Sequence, residues 1–145
     1  MSTVNLSQAD SIITAALEHG RSASMKRLTV AVLDAGGHLV ALKREDGSSL
    51  LRPQIAIGKA WGALGLGMGG RELAKRAAAA PAFMGAMSDL AEGKMVPVPG
   101  GVLIRDASGA IIGAVGVTGD VSENDEACAV AGIRKVGLTA DPGAA

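Results

Sequence analysis

The sequence predicts an α+β domain in which helices pack on an antiparallel sheet. Three observations carry this reading. Helically spaced apolar residues twice give way to short apolar runs joined by tight-turn residues. Both turns share one form, Asp34-Ala35-Gly36-Gly37 and Asp106-Ala107-Ser108-Gly109, in which Asp opens the turn through its side chain and Gly takes the left-handed position. The length, 145 residues, fits one domain spanning 1–145.

The elements follow in order. Ala9, Ile12, Ile13, Ala16 and Leu17 mark a first amphipathic helix, with Ser7 and Asp10 at capping-box spacing and Gly20 as its expected stop. Residues 28–33 and 39–42 read as the strands of a hairpin. A second helix runs from Pro53, suited to a first turn, to about Leu66; Gly65, Gly67, Gly69 and Gly70 end it. Residues 71–80 give a third helix, interrupted by Pro81, and 83–91 a shorter one. Val96-Pro97-Val98-Pro99-Gly100-Gly101 cannot be a central strand and reads as an extended, turning segment. Residues 102–105 and 111–117 form a second hairpin, and a last helix reaches about Val136 from Ser122, with Asp125 at capping-box spacing.

Composition excludes several function classes. The formal net charge is zero, and Trp61 and Phe83 are the only aromatic residues, so neither a phosphate-binding field nor a base-stacking platform is expected. Charge-free stretches such as 77–88 and 107–119 fall short of the roughly 18–20 residues of a spanning helix, and no membrane segment is expected. Cys128 stands alone, which fits a reducing compartment, and the N-terminal residues lack a basic-then-apolar leader; a cytoplasmic protein is expected.

Four motifs, in order over about residues 7–137, resemble one family. They are VAVLDAGGHLVALKREDG at 30–47, IGKA at 57–60, PGGV at 99–102 and IGAVGVTG at 112–119, followed by Asp125 in the last helix. Together they resemble the GlcG/HbpS-like family, also called the haem-degrading or haem-binding domain family. The resemblance implies a three-layer domain with a five-stranded antiparallel sheet and assembly into homo-oligomers; it names haem as a candidate ligand and leaves the cofactor open. Family members include a haem-binding extracellular sensor component, the haem-binding C-terminal domain of a corrinoid adenosyltransferase and a protein encoded with glycolate oxidation enzymes. The adenosyltransferase chemistry belongs to another domain and is not carried over. Where many members carry small or Ser-rich residues, this chain has Ser48-Ser49-Leu50-Leu51-Arg52-Pro53.

Arg52, at the threshold of a helix, is placed to grip a carboxylate beside exposed N–H donors, or else to pair with Glu45 or Asp46 at the surface. Lys59 sits among Ile55, Ala56, Ala60 and Ala63, so it is either a desolvated amine able to move a proton or bind an anion, or a lysine with a covered stem and a wet head. The family motif favours the site role. Gly100 and Gly101 would let backbone N–H groups approach a ligand, and Thr118 adds a hydroxyl. Gly65-Leu66-Gly67-Met68-Gly69-Gly70 matches a dinucleotide fingerprint in form, but a helix-periodic segment precedes it where a strand is required; it reads as a break holding Arg71 towards a ligand or a neighbouring subunit.

For haem, the candidate axial ligands are His19, His38, Cys128 and the methionines, and the residues themselves single out none. No Cys-x-x-Cys or clustered His signals a metal site; Glu123, Asp125 and Glu126 read as helix N-terminal charge. Two functions remain open. One is a small-ligand or haem-binding protein. The other is a cofactor-independent isomerase, hydratase or lyase acting on a small organic acid, with Lys59, His38 and Asp125 handling protons and Arg52, Arg71, Gly100, Gly101 and Thr118 holding substrate.

Overall fold

A computed structural model describes residues 2–145. The elements are α1 (Leu6–Ser22), β1 (Thr29–Asp34), β2 (Leu39–Arg44), α2 (Arg52–Leu66), α3 (Gly70–Ala79), α4 (Pro81–Leu90), β3 (Gly101–Arg105), β4 (Ile111–Thr118), α5 (Ser122–Lys135) and β5 (Thr139–Asp141). The five strands form one antiparallel sheet in the order β2-β1-β4-β3-β5.

Strand alternation sorts the core into two layers, because successive side chains point to opposite faces. Val30 and Val32 of β1, with Val115 and Val117 of β4, face α1 and α5 and meet Ile12, Ile13, Cys128 and Ile133. Leu33 and Ala114 face the other way, against Ala60 and Ala63 of α2. This is the three-layer α+β arrangement. A satellite cluster of Leu73, Met84 and Met95 sits under α3 and α4, touching Trp61. Small residues set the spacing: a Cβ on Gly116 would overlap the Ala56 carbonyl oxygen, so α2 lies directly on β4.

Several local expectations change. The cap of α1 is Asn5 rather than Ser7: its side chain accepts the Gln8 N–H at 2.8 Å, and Gln8 Oε1 accepts the Asn5 N–H at 3.0 Å. Gly20 lies inside the helix, where a Cβ would collide with the Leu28 side chain, so it makes room rather than stopping the chain. At α5 the cap is Val121 with no side-chain bond. Asp125 is drawn inward and accepts the Asp120 N–H at 2.9 Å. Gly67 ends α2 in the left-handed conformation, φ 68°, as the glycine run suggests. Both hairpin turns use their aspartates as expected: Asp34 accepts from the N–H of Gly36 and His38, Asp106 from those of Ser108 and Ala110.

No described helix is long and apolar enough to cross a membrane.

Candidate functional site

The site begins at the end of the sheet where Thr29 of β1 pairs with Thr118 of β4. Above it, α2 starts with Arg52 and Pro53; proline supplies a ready helical φ and no N–H that would need a partner. Arg52 Nη1 donates to Thr118 Oγ1 at 2.7 Å, and Nε donates to Ser49 Oγ at 3.1 Å. The alternative surface pairing with Glu45 is not made. Glu45 instead holds Arg21 at 3.0 Å and accepts the Leu28 N–H at 2.7 Å.

Two turns along α2, Lys59 points into the protein. Its Nζ donates to the Val117 carbonyl oxygen at 2.9 Å and to Asp125 Oδ2 at 3.1 Å. The side chains of Lys59 and Asp125 are 3% and 1% exposed, so Lys59 has no wet head. Burial pushes the Lys59 ammonium below its ordinary value, against the attraction of Asp125, and pushes the Asp125 carboxyl above its own, against the attraction of Lys59.

Gly100 and Gly101 make this arrangement possible. Gly100 has φ 116°, and a Cβ there would lie 2.8 Å from Lys59 Nζ; one on Gly101 would overlap the Lys59 carbonyl oxygen. The Gly100 carbonyl accepts the Val117 N–H at 2.9 Å. What these glycines admit in this structure is Lys59 itself.

The next residue of α5, Glu126, takes a different partner. Arg71 Nε donates to its Oε1 at 3.1 Å, with Nη2 on the second oxygen. The N-terminal part of α5 therefore receives a lysine from α2 and an arginine from α3, and Glu126 is an ion-pair partner rather than free helix charge. His38 is not part of this group. It lies in the turn beyond Asp34, at the far end of β1 from Thr29, with its side chain 80% exposed and Nδ1 3.2 Å from Asp34 Oδ1.

Outside Arg52 the surface opens into a hollow of about 550 Å³. Arg21, Lys26, Arg27 and Arg52 line it; Ser48 and Ser49 supply hydroxyls, and no carboxylate is in the lining. The segment carrying Lys26 and Arg27 is pinned by Asp120 and by Arg21. Asp120 Oδ2 accepts the Lys26 N–H at 2.8 Å, and the Lys26 carbonyl oxygen accepts from Arg21 at 2.7 Å. The Lys26 N–H is the leading reason that the Asp120 carboxyl sits low, at about 2. Sequence reasoning missed Arg21, Lys26 and Arg27 as site residues. The basic pair after α1 was visible, but its meeting with Arg52 was not.

A second hollow, of about 360 Å³, is apolar, with Leu51, Ile55, Ile57, Trp61 and Val96 in its walls. No group of three or more His, Cys, Asp or Glu residues placed to hold a metal ion occurs among the described residues.

Comparison with known proteins gives a consistent picture. A family model described as haem degrading protein HbpS-like matches residues 4–134. No curated protein sequence matches significantly. Among solved structures, HbpS is 29% identical, with 94% of this chain and 92% of that one covered at a TM-score of 0.82. The PduOC–heme complex is 23% identical, covering 94% and 96% of the two chains at 0.83. The Klebsiella pneumoniae protein ORFY is 24% identical, covering 92% and 90% at 0.82. The last two likenesses speak to the fold alone.

Proposed function

The chain belongs to the HbpS-like haem-degrading protein family, and from that premise we propose that it binds a small carboxylate-bearing molecule in the cationic hollow beside Arg52. The observation that carries this is the lining: Lys26, Arg27 and Arg52, with Arg21 shared with Glu45 behind it, and two serines around about 550 Å³, with no acidic side chain in the lining itself. Guanidinium groups match carboxylates in shape as well as charge. Arg52 is half-buried and already oriented by Ser49 and Thr118. Lys59 holds the Val117 carbonyl, one residue before the Thr118 that Arg52 grips.

Haem is the family's own candidate ligand, and it presents two propionates and an iron that takes an axial side chain. Lys26, Arg27 and Arg52 fit the propionates in charge. The iron is less well served: neither histidine lines the hollow, and Met25, which does, has its sulfur 3.4 Å from Cys128 Sγ. The residues of one chain therefore do not fit a coordinated iron, and no chemistry is assigned to it. Small organic acids share the carboxylate chemistry and need no axial ligand.

With Lys59 and Asp125 paired and buried, proton transfer to a substrate is assigned to neither. The reading extends to a homo-oligomer, as the family resemblance implies, and to the cytoplasm, which suits a single free cysteine. Leu50, 87% exposed, and Leu51 supply apolar surface for a second copy.

The test is a pair of titrations, hemin followed by its Soret absorbance and succinate followed by calorimetry, on the wild type and on the double variant Arg27→Gln/Arg52→Gln. Saturable binding of either probe, weakened tenfold or more in a variant of unchanged circular dichroism, supports the proposal. Failure of both probes to bind, or equal affinity in the variant, overturns it.

A further inference from the structure

We infer that Thr29 is a ligand-binding residue, whose buried hydroxyl forms the inner end of the carboxylate subsite behind Arg52. The inference rests on the proposed ligand site and adds a residue to it. Thr29 is fully buried, and its Oγ1 is a buried side-chain polar atom with no hydrogen-bond partner among the described residues. A hydroxyl without a partner in the interior is costly, so a purely structural position of this shape favours valine.

Its location gives the hydroxyl a use. Thr29 is paired across the sheet with Thr118, and such partners on one face have Cβ atoms roughly 4.5–5.5 Å apart. Thr118 is the residue that Arg52 holds. Arg27, two positions before Thr29, and Gly119, immediately after Thr118, both line the cationic hollow. The two threonines therefore stand side by side on one face of the sheet, next to residues that line the hollow, with the Arg52 guanidinium on Thr118.

Arg52 is held by two neutral hydroxyls and by no carboxylate among the described residues, so an incoming carboxylate competes with Thr118 for it. A carboxylate docking from the hollow draws the Arg52 guanidinium off Thr118 and opens the way inward. One carboxylate oxygen then keeps Arg52, while the other accepts from Thr29 Oγ1. Anion binding thereby supplies the partner that Thr29 otherwise lacks.

The experiment compares Thr29→Val, which keeps the shape and removes the hydroxyl, with Thr29→Ser, which keeps the hydroxyl. Both are titrated with hemin and succinate beside the wild type, and thermal unfolding is followed without ligand. A hydrogen bond to a charged group corresponds to a loss of about tenfold or more in affinity. The expected result is a Thr29→Val protein as stable as wild type or more so, binding at least tenfold more weakly, with Thr29→Ser close to wild type. Wild-type binding matched by Thr29→Val overturns the role of Thr29 and leaves the cationic site standing. Absence of wild-type binding removes the site and this inference together.

Discussion

Lys59 Nζ lies 3.1 Å from Asp125 Oδ2, joining α2 to the first turn of α5 across 66 residues of sequence. Removing one member of such a pair leaves a buried charge alone, which costs about 3–5 kcal/mol. Lys59→Met is expected to lose stability on that scale in urea unfolding at neutral pH. The loss has a defined pH dependence. A carboxyl whose folded value is raised binds its proton more tightly in the folded state, so folding gains as pH falls below that value. The deficit of Lys59→Met therefore narrows on acidification towards the ordinary carboxyl value of 3.8, and Lys59→Met/Asp125→Leu recovers a large part of it at neutral pH.

Asp120 titrates with the opposite sign. Its folded value, about 2, lies below the ordinary 3.8, so the unfolded chain binds the proton first. Its stabilisation is present above pH 4 and lost as pH falls through 2. Asp120→Asn is expected to flatten the acid limb of a stability–pH curve between pH 4 and 2, with Asp34 and Asp106, also lowered, producing what remains.

Cys128 is expected to be inert. It is fully buried on α5, and burial pushes its thiol up to about 12, leaving almost no thiolate at neutral pH. Reaction with a thiol-specific disulfide reagent should stay negligible in the folded protein and become complete in denaturant.

Gly116→Ala is expected to be among the most damaging single substitutions on the sheet. The new methyl meets the Ala56 backbone rather than a flexible side chain, and β4 is held between β1 and β3. The cost should reach or exceed the ~1–3 kcal/mol of ordinary overpacking, read as a fall in melting temperature.

Much of this fold was legible along the chain because its signals are local. The hairpin turns needed only Asp and Gly at fixed offsets, and α2 only its apolar spacing after Pro53. The strand β5 was not, since Thr139–Asp141 is a three-residue edge with no alternation to read; the family resemblance supplied the fifth strand. Asn5 was missed because Ser7 and Asp10 imitate the same capping box. In the site, Lys59 stood out as a charge on an apolar face. Its partner could not be read from spacing, because Asp125 and Glu126 look alike at a helix start and only packing sends one to Lys59 and the other to Arg71. The cations of the hollow come from α1, the segment before β1 and the start of α2, so no local pattern contains them.

The most direct test of the carboxylate site is a map of backbone amide chemical shifts as succinate is titrated into isotopically labelled protein. The account expects saturable shifts concentrated at Lys26, Arg27, Ser48, Ser49, Arg52 and Gly119, with little change around the apolar hollow at Ile57, Trp61 and Val96. Saturable shifts centred on that apolar hollow, or on the His38 turn, would contradict it.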